Sequence, residues 1–265
     1  MYCQFYRFNR IPFSTTSEPH YFYDSASHRE ACAAVKYGIA RRKGIILVTG
    51  EVGTGKTTLC RKVIAELDAG VKVSLILNPF FSDSQLLQAI VEDFGIQTPK
   101  KSRLDLVKAL NSFLMGLHAA GGNAVLVIDE AQHLKPRQLE LVRLLSNLET
   151  SDEKLLQLVL AGQPELDEKL SRHELRQIRQ RIFVKCRLAP LAANELEGYM
   201  NVRLNQAGRS DFDIKDECYP IIYGFSRGVP RLVNMLCDRA LLMGYVRGQA
   251  RWDEAILNDA IKEIL

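Results

Sequence analysis

The sequence is most easily approached through what it lacks. Its 265 residues include six cysteines, at 3, 32, 60, 186, 218 and 237, and no two form a C-x-x-C pair. That spacing argues against a zinc site or a disulfide framework and predicts reduced thiols in a reducing compartment. No apolar run approaches the length of about 20 residues that spans a bilayer. The start, Met1-Tyr2-Cys3-Gln4-Phe5-Tyr6-Arg7, lacks the apolar core of a signal peptide. The expectation is a soluble, cytoplasmic chain, with any membrane segment lying in a longer parent beyond Leu265. There is no internal repeat and no low-complexity tract. Net charge is only +4, too little to imply a nucleic-acid partner by itself.

What is present is ordinary for a globular protein, 47% hydrophobic and 25% charged, in a length that suits one large domain or a large and a small one. The basic charge is uneven, however. Arg172, Arg176, Arg179, Arg181, Lys185 and Arg187 crowd between Ser171 and Arg187 against one acid, Glu174.

Residues 1–24 are aromatic-rich and read as irregular. Packing on a domain surface is their favoured role, with stacking on an adenine ring the alternative. Helical periodicity then covers Ser27 to Arg42, capped by Ser25 or Ser27. Apolar, β-branched runs at 44–49, 71–77, 124–128, 155–161 and 182–188 read as strands. Helices are expected between them at 59–67, 84–94, 102–118, 136–148 and about 171–179. Beyond Pro190 the pattern is helical only, at 194–207, about 215–225, 230–245 and 252–264, and Pro220 must start or kink the second of these. Five strands alternating with helices, followed by helices alone, predict a three-layer α/β domain with a five-stranded parallel sheet and a small helical domain. The expected division is an N-terminal segment at 1–24, the α/β domain at 25–190 and a helical lid at 191–265.

Gly50-Glu51-Val52-Gly53-Thr54-Gly55-Lys56-Thr57-Thr58 fits G-x-x-x-x-G-K-[ST], between a strand and a helix as the phosphate-binding loop requires. Glycines at 50, 53 and 55 let the main chain curl, so that successive N–H groups and the helix start form an anion cradle. Lys56 is placed to reach the β- and γ-phosphates of a nucleotide, and the Thr57 hydroxyl to ligate Mg²⁺.

The strand at 124–128 runs into Asp129-Glu130. In a parallel α/β sheet, ligands gather at the carboxyl ends of the strands. Asp129 there suits Mg²⁺, directly or through water, and Glu130 suits orienting and polarising an attacking water. Gln163 ends the fourth strand at the same edge, where its amide can bond the γ-phosphate or the water, or else simply cap the chain. Arg176, Arg179 and Arg181 flank the fifth strand. One of them, Arg181 first, can serve a neighbouring subunit's phosphate in trans, although a solvated basic face explains them equally well. Arg231 follows Pro230 at a helix start, where its charge is unfavourable against the helix dipole unless an anion is near. It is read as a lid arginine reaching the nucleotide in cis.

These elements together resemble the AAA+ ATPases, and more closely the secretion-pathway ATPases of the ExeA/GspA type with the related short ATPases of MSHA-type pilus biogenesis. The resemblance runs along the whole chain. It includes Phe22-Tyr23, His28 and Glu30-Ala31, Thr49 to Leu59, Asn78-Pro79, Ile128 to Gln132, Ala161 to Leu166, Gln180-Arg181-Ile182 and Gly228 to Asn234. Asn9-Arg10 and Ser17-Glu18-Pro19 depart from the family's usual start. The resemblance implies ATP hydrolysis with Mg²⁺, self-association into an ATP-dependent oligomer or ring, sensor roles for Gln163 and Arg231, and a trans arginine near 181. It also implies an envelope secretion or pilus assembly partner in a bacterium. The competing readings are a DNA-associated ATPase of the transposition or origin-recognition type, and a binding module that ATP gates with little turnover.

Overall fold

The computed structural model describes residues 1–16, 18–99 and 102–264. Ser17, part of the departure from the family start, lies outside them. The chain divides into two compact units, each discontinuous in sequence. One comprises residues 29–51 and 59–188, the other residues 1–28, 52–58 and 189–265.

The first unit is built on five parallel strands, β1 (Ile45–Gly50), β2 (Val71–Ile76), β3 (Asn123–Ile128), β4 (Leu156–Gly162) and β5 (Ile182–Leu188), in the order β2-β3-β4-β1-β5. Burial explains the order. β1 and β4 are buried at every residue and β3 at all but its first, so these mostly apolar strands take the centre. β2 and β5 alternate between inward and outward residues and occupy the edges. Ile45 and Leu47 join one core with Leu126, Leu158 and Leu160. Ile46 points the other way, toward Gly38 of α2 (Ala26–Ala40), where any side chain on that glycine would collide with it.

Helices α3 (Lys56–Ala65), α4 (Asp83–Asp93), α5 (Arg103–Ala119) and α6 (Pro136–Leu145) return the chain between strands. α4 begins at Ser82, whose hydroxyl accepts from the Gln85 N–H while the Gln85 side chain accepts from the Ser82 N–H. At α5 the Ser102 hydroxyl caps the helix by accepting from the Asp105 N–H. Because all the strands are parallel, Gly50, Ile76, Ile128, Gly162 and Leu188 end at one edge of the sheet.

Three local expectations change. The chain after β4 is helical at once, α7 (Pro164–Leu170), with Gln163 as its cap and Pro164 in the first position, where a missing N–H costs nothing. The single helix expected over 171–179 is a tight turn at His173–Leu175 followed by the one-turn α8 (Arg176–Arg179). Gly50 lies in the extended β1, so the curl of the phosphate loop comes from Gly53 and Gly55 alone.

The second unit is helical: α1 (Tyr2–Tyr6), α9 (Ala193–Gln206), α10 (Cys218–Ser226), α11 (Pro230–Arg247) and α12 (Glu254–Ile264). Pro220 falls in the first turn of α10, which it starts rather than kinks. The aromatic segment is not irregular throughout, since α1 is helical, and Tyr6, Phe8 and Phe13 are buried with Phe212 and Trp252 in the core of this unit. Arg203 of α9 lies between the rings of Tyr21 and Tyr199 and donates to the carbonyls of Pro12 and Ser14 at 3.1 and 2.8 Å, which holds the segment down. None of the described helices is long and apolar enough to cross a membrane.

Candidate functional site

The loop from Gly50 to Thr58 leaves β1 and opens α3 at Lys56. Gly53 and Gly55 have φ of +83° and +99°, backbone that side chains with a Cβ rarely adopt. Space reinforces the requirement. A Cβ on Gly53 would lie 2.6 Å from the Arg231 Cβ, and one on Gly55 would lie 3.0 Å from the His28 Nε2. The N–H groups of Gly53 and Gly55 have no acceptor among the described residues. Unclaimed donors at the mouth of a helix fit a nucleotide's phosphates. Lys56 is buried and Thr57 half-buried.

Two groups, one a side chain and one a main-chain N–H, fix the loop through its carbonyls. His28 is buried, and its Nε2 lies 2.8 Å from the Thr54 carbonyl oxygen. A carbonyl only accepts, so Nε2 carries the proton, and in the neutral ring Nδ1 accepts from the Ser25 hydroxyl at 2.7 Å. Burial pushes the His28 pKa below its ordinary value, against the opposing pull of the Thr54 carbonyl, Glu195 and Asp24. At the start of α11, the Arg231 N–H donates to the Gly53 carbonyl at 3.2 Å. Arg231 itself is exposed at the second position of that helix, directly after Pro230.

The acidic pair follows β3. Asp129 is buried, and its Oδ1 accepts from the Glu130 N–H at 2.9 Å. Glu130 has φ 50° and ψ 36°, a left-handed conformation costing a non-glycine residue about 1–2 kcal/mol. The turn Ala131–His133 follows and is held from several sides. Gln132 donates from Nε2 to the Glu130 Oε2 at 2.5 Å, and its Oε1 accepts from the Gln163 N–H at 3.1 Å. The Gln163 amide donates to the same Glu130 oxygen at 3.4 Å. From α7 the Lys169 ammonium donates to the carbonyls of Gln132 and Leu134. Burial, with Arg172 adding repulsion, holds the Lys169 pKa below the ordinary lysine value. Glu130 and Gln163, expected at one edge, are therefore in hydrogen-bonded contact.

The remaining arginines differ among themselves. Arg176 and Arg179 are exposed, with Arg176 beside His173 at 3.2 Å. Arg181 is half-buried at the foot of β5; Glu140 and Glu149 are held below the usual carboxylate range chiefly by their hydrogen bonds to Arg143 and Lys154, with the Arg181 charge a minor addition. His28, Gln132 and Lys169 carry no role in the sequence reading. His28 and Gln132 fall in stretches that carry the family resemblance, which attaches no role to them, and the local signals are slight: Ser25 three residues before His28, and an amide two residues past the acidic pair.

Comparison with known proteins accords with this arrangement. Residues 39–170 match the AAA domain family. General secretion pathway protein A of Aeromonas hydrophila is 41% identical over 249 residues, covering 94% of this chain and 46% of that protein. The chain thus spans about half the length of this curated relative. The ORC2 protein of Aeropyrum pernix, in its ADPNP–ADP complexes, superposes with a TM-score of 0.73 at 17% identity, over 97% of this chain and 72% of that one. The ORC1 protein of the same organism, in complex with DNA, gives 0.69 at 22% identity, over 91% and 66%. At such identities these two structures speak to fold alone. Residues 39–170 thus form a domain of the AAA family, within a chain that is a relative of general secretion pathway protein A.

Proposed function

We propose that the chain binds ATP with Mg²⁺ and hydrolyses it, and that turnover drives or regulates assembly of a type II secretion or type IV pilus-like envelope machine. The observation that carries this reading is Glu130. Its carboxylate follows a buried Asp129 at the end of β3 and is gripped by the amides of Gln132 and Gln163. An acid held at a cost in backbone strain is characteristic of functional positions.

In this reading residues 50–58 take the phosphates on main-chain N–H groups and the start of α3, and Lys56 pairs with the β- and γ-phosphates. Thr57 and Asp129 hold Mg²⁺, which when bound neutralises charge on the phosphate oxygens. Glu130 orients the attacking water and draws on its proton. Gln163 bonds the γ-phosphate or that water, and Arg231 reaches the nucleotide in cis. Arg181 of a neighbouring subunit stabilises the developing charge in trans, so the active form is an oligomer or ring. Full turnover by Arg181→Ala in the assembled state would move that role to Arg179 or Arg176. Residues 25–190 act as the ATPase domain, 191–265 as the lid and 1–24 as a packed segment. The place of action is the bacterial cytoplasm, at the inner membrane through partners. Likeness to general secretion pathway protein A along 94% of the chain supports the envelope assignment.

A second reading, a DNA-associated ATPase, draws on the exposed Arg172, Arg176, Arg179, Lys185 and Arg187. ATP turnover per subunit, measured over rising protein concentration with and without double-stranded DNA, separates the two. Turnover that climbs with concentration and ignores DNA supports a site completed between subunits and the envelope reading. Turnover absent until DNA is added supports the second. Slow turnover that Glu130→Gln leaves unaltered would reduce the protein to a nucleotide-gated binding module.

A further inference from the structure

Gln132 uses both ends of one amide. Its Nε2 donates to the Glu130 carboxylate at 2.5 Å and its Oε1 accepts the Gln163 N–H at 3.1 Å. The residue is 9% exposed, so water competes little for either bond. The orientation of the amide follows from its partners. A carboxylate needs a donor and an N–H needs an acceptor, and flipping the group would break both bonds. The Gln132 main chain is secured as well, its carbonyl taking the Lys169 ammonium. Room for the amide is kept by Gly162, where a Cβ would stand 3.0 Å from the Gln132 Oε1 and 3.3 Å from its N.

We infer that Gln132 is the positioning residue for hydrolysis: it fixes the Glu130 carboxylate in the strained turn and locks it to the end of β4. The inference rests on the reading of Glu130 as the residue that handles the water. Only an amide of this length serves. Glutamate has no donor for Glu130, lysine has no acceptor for the Gln163 N–H, methionine has neither, and asparagine is one methylene short. With Oε2 engaged by Gln132 and Gln163, the Glu130 Oε1 has no partner among the described residues and is the oxygen a water would meet. Gln132 thus selects which oxygen works and where it stands, without touching the nucleotide.

The test uses the full chain, with steady-state ATP turnover and equilibrium binding of a fluorescent ADP analogue, for Gln132→Met, Gln132→Glu and Glu130→Gln. Gln132→Met is expected to lower kcat roughly ten- to hundredfold, part of what the base itself supplies. Its KM and ADP affinity should stay within about twofold. Gln132→Glu keeps the acceptor for Gln163 but sets a second carboxylate against Glu130. The like charge should push the Glu130 carboxylate out of its place and lower kcat at least as far as Gln132→Met does, with ADP affinity again within about twofold. A kcat for Gln132→Met that is unchanged or raised overturns the inference. So does a loss of ADP affinity equal to the loss of turnover, which would mark a merely structural role. Should Gln132→Met fail to fold, Gln132→Glu decides through the same split, an unchanged kcat, or a loss of ADP affinity equal to the loss of turnover, counting against the inference. Glu130→Gln separates the two levels. Wild-type turnover in that variant fells the reading of Glu130, whereas its inactivity beside an unimpaired Gln132→Met fells only the role of Gln132.

Discussion

The phosphate loop and the acidic turn both use left-handed backbone, and they hold it by opposite means. In the loop, glycines at 53 and 55 adopt the conformation without strain, and neighbours grip main-chain carbonyls: His28 takes Thr54, and the Arg231 N–H takes Gly53. In the turn a glutamate adopts it at a cost, and side-chain amides grip the carboxylate itself. Under the proposed function, the difference follows from which atoms do the work. A loop that binds through N–H groups is best anchored by its carbonyls, which leaves the donors facing outward. A turn that acts through a carboxylate must have that carboxylate aimed. Damage to the loop should therefore appear in affinity, and damage to the turn in turnover.

The sharpest way to break this division is to compare Glu130→Gln with Lys56→Ala. Glu130→Gln is expected to lower turnover by about 10²–10⁴-fold while nucleotide affinity stays near wild type. Lys56→Ala should lose measurable nucleotide binding, since Lys56 is a buried charge directed at the phosphates in the proposed site. Single-turnover kinetics alongside equilibrium binding would read both. If Glu130→Gln lost affinity in step with turnover, the turn would be part of the binding surface and the contrast with the loop would collapse.

Gly53→Ala should have a smaller effect, confined to affinity. The new Cβ would meet the Arg231 Cβ at 2.6 Å and the Val229 Cγ1 at 3.1 Å, on backbone with φ +83°. Strain of about 1–2 kcal/mol, relieved by shifting the loop, corresponds to roughly five- to thirtyfold weaker nucleotide binding. Titration with the fluorescent ADP analogue checks it, and unaltered affinity would mean that the loop does not depend on its close packing against the start of α11.

The same contrast shows what the sequence could reveal. The sheet was legible because β1, β3 and β4 are mostly apolar runs, buried at nearly every residue. The loop was legible because its chemistry is main-chain and forces a glycine spacing, although Gly50 shares in the pattern without sharing in the curl. The turn was legible only at Asp129 and Glu130. Gln132 is an ordinary polar residue until it is seen between Glu130 and Gln163, residues 33 apart in the chain and joined by the pairing of β3 with β4. Helix α7 was missed because Gly162-Gln163-Pro164 reads as a break, whereas the proline is the helix's first residue. The aromatic start looked irregular because its order comes from Arg203 and Trp252, which lie far along the chain.

The smallest expected effect concerns His28 and is a matter of pH. Burial lowers its pKa in the fold, while the unfolded chain keeps the ordinary imidazole value of about 6.5. The Thr54 carbonyl, Glu195 and Asp24 favour the charged form, and the Phe22 ring packed edge-on against the imidazole gives that charge no hydrogen-bonding partner. Above the unfolded pKa the ring is neutral in both states, and the contribution of His28 to stability is fully present. As pH falls below it, the unfolded chain takes up a proton that the folded chain refuses, so stability is lost until the folded pKa is passed. His28→Gln carries a donor for the Thr54 carbonyl and does not titrate. Thermal midpoints of both proteins, measured from about pH 8 to about pH 5, should therefore converge on acidification, the wild type falling more steeply. Parallel curves would mean that the imidazole titrates alike in both states. The His28 grip on the Thr54 carbonyl would then not depend on a neutral ring, and the Arg231 N–H on the Gly53 carbonyl would be the anchor of the loop that acid leaves untouched.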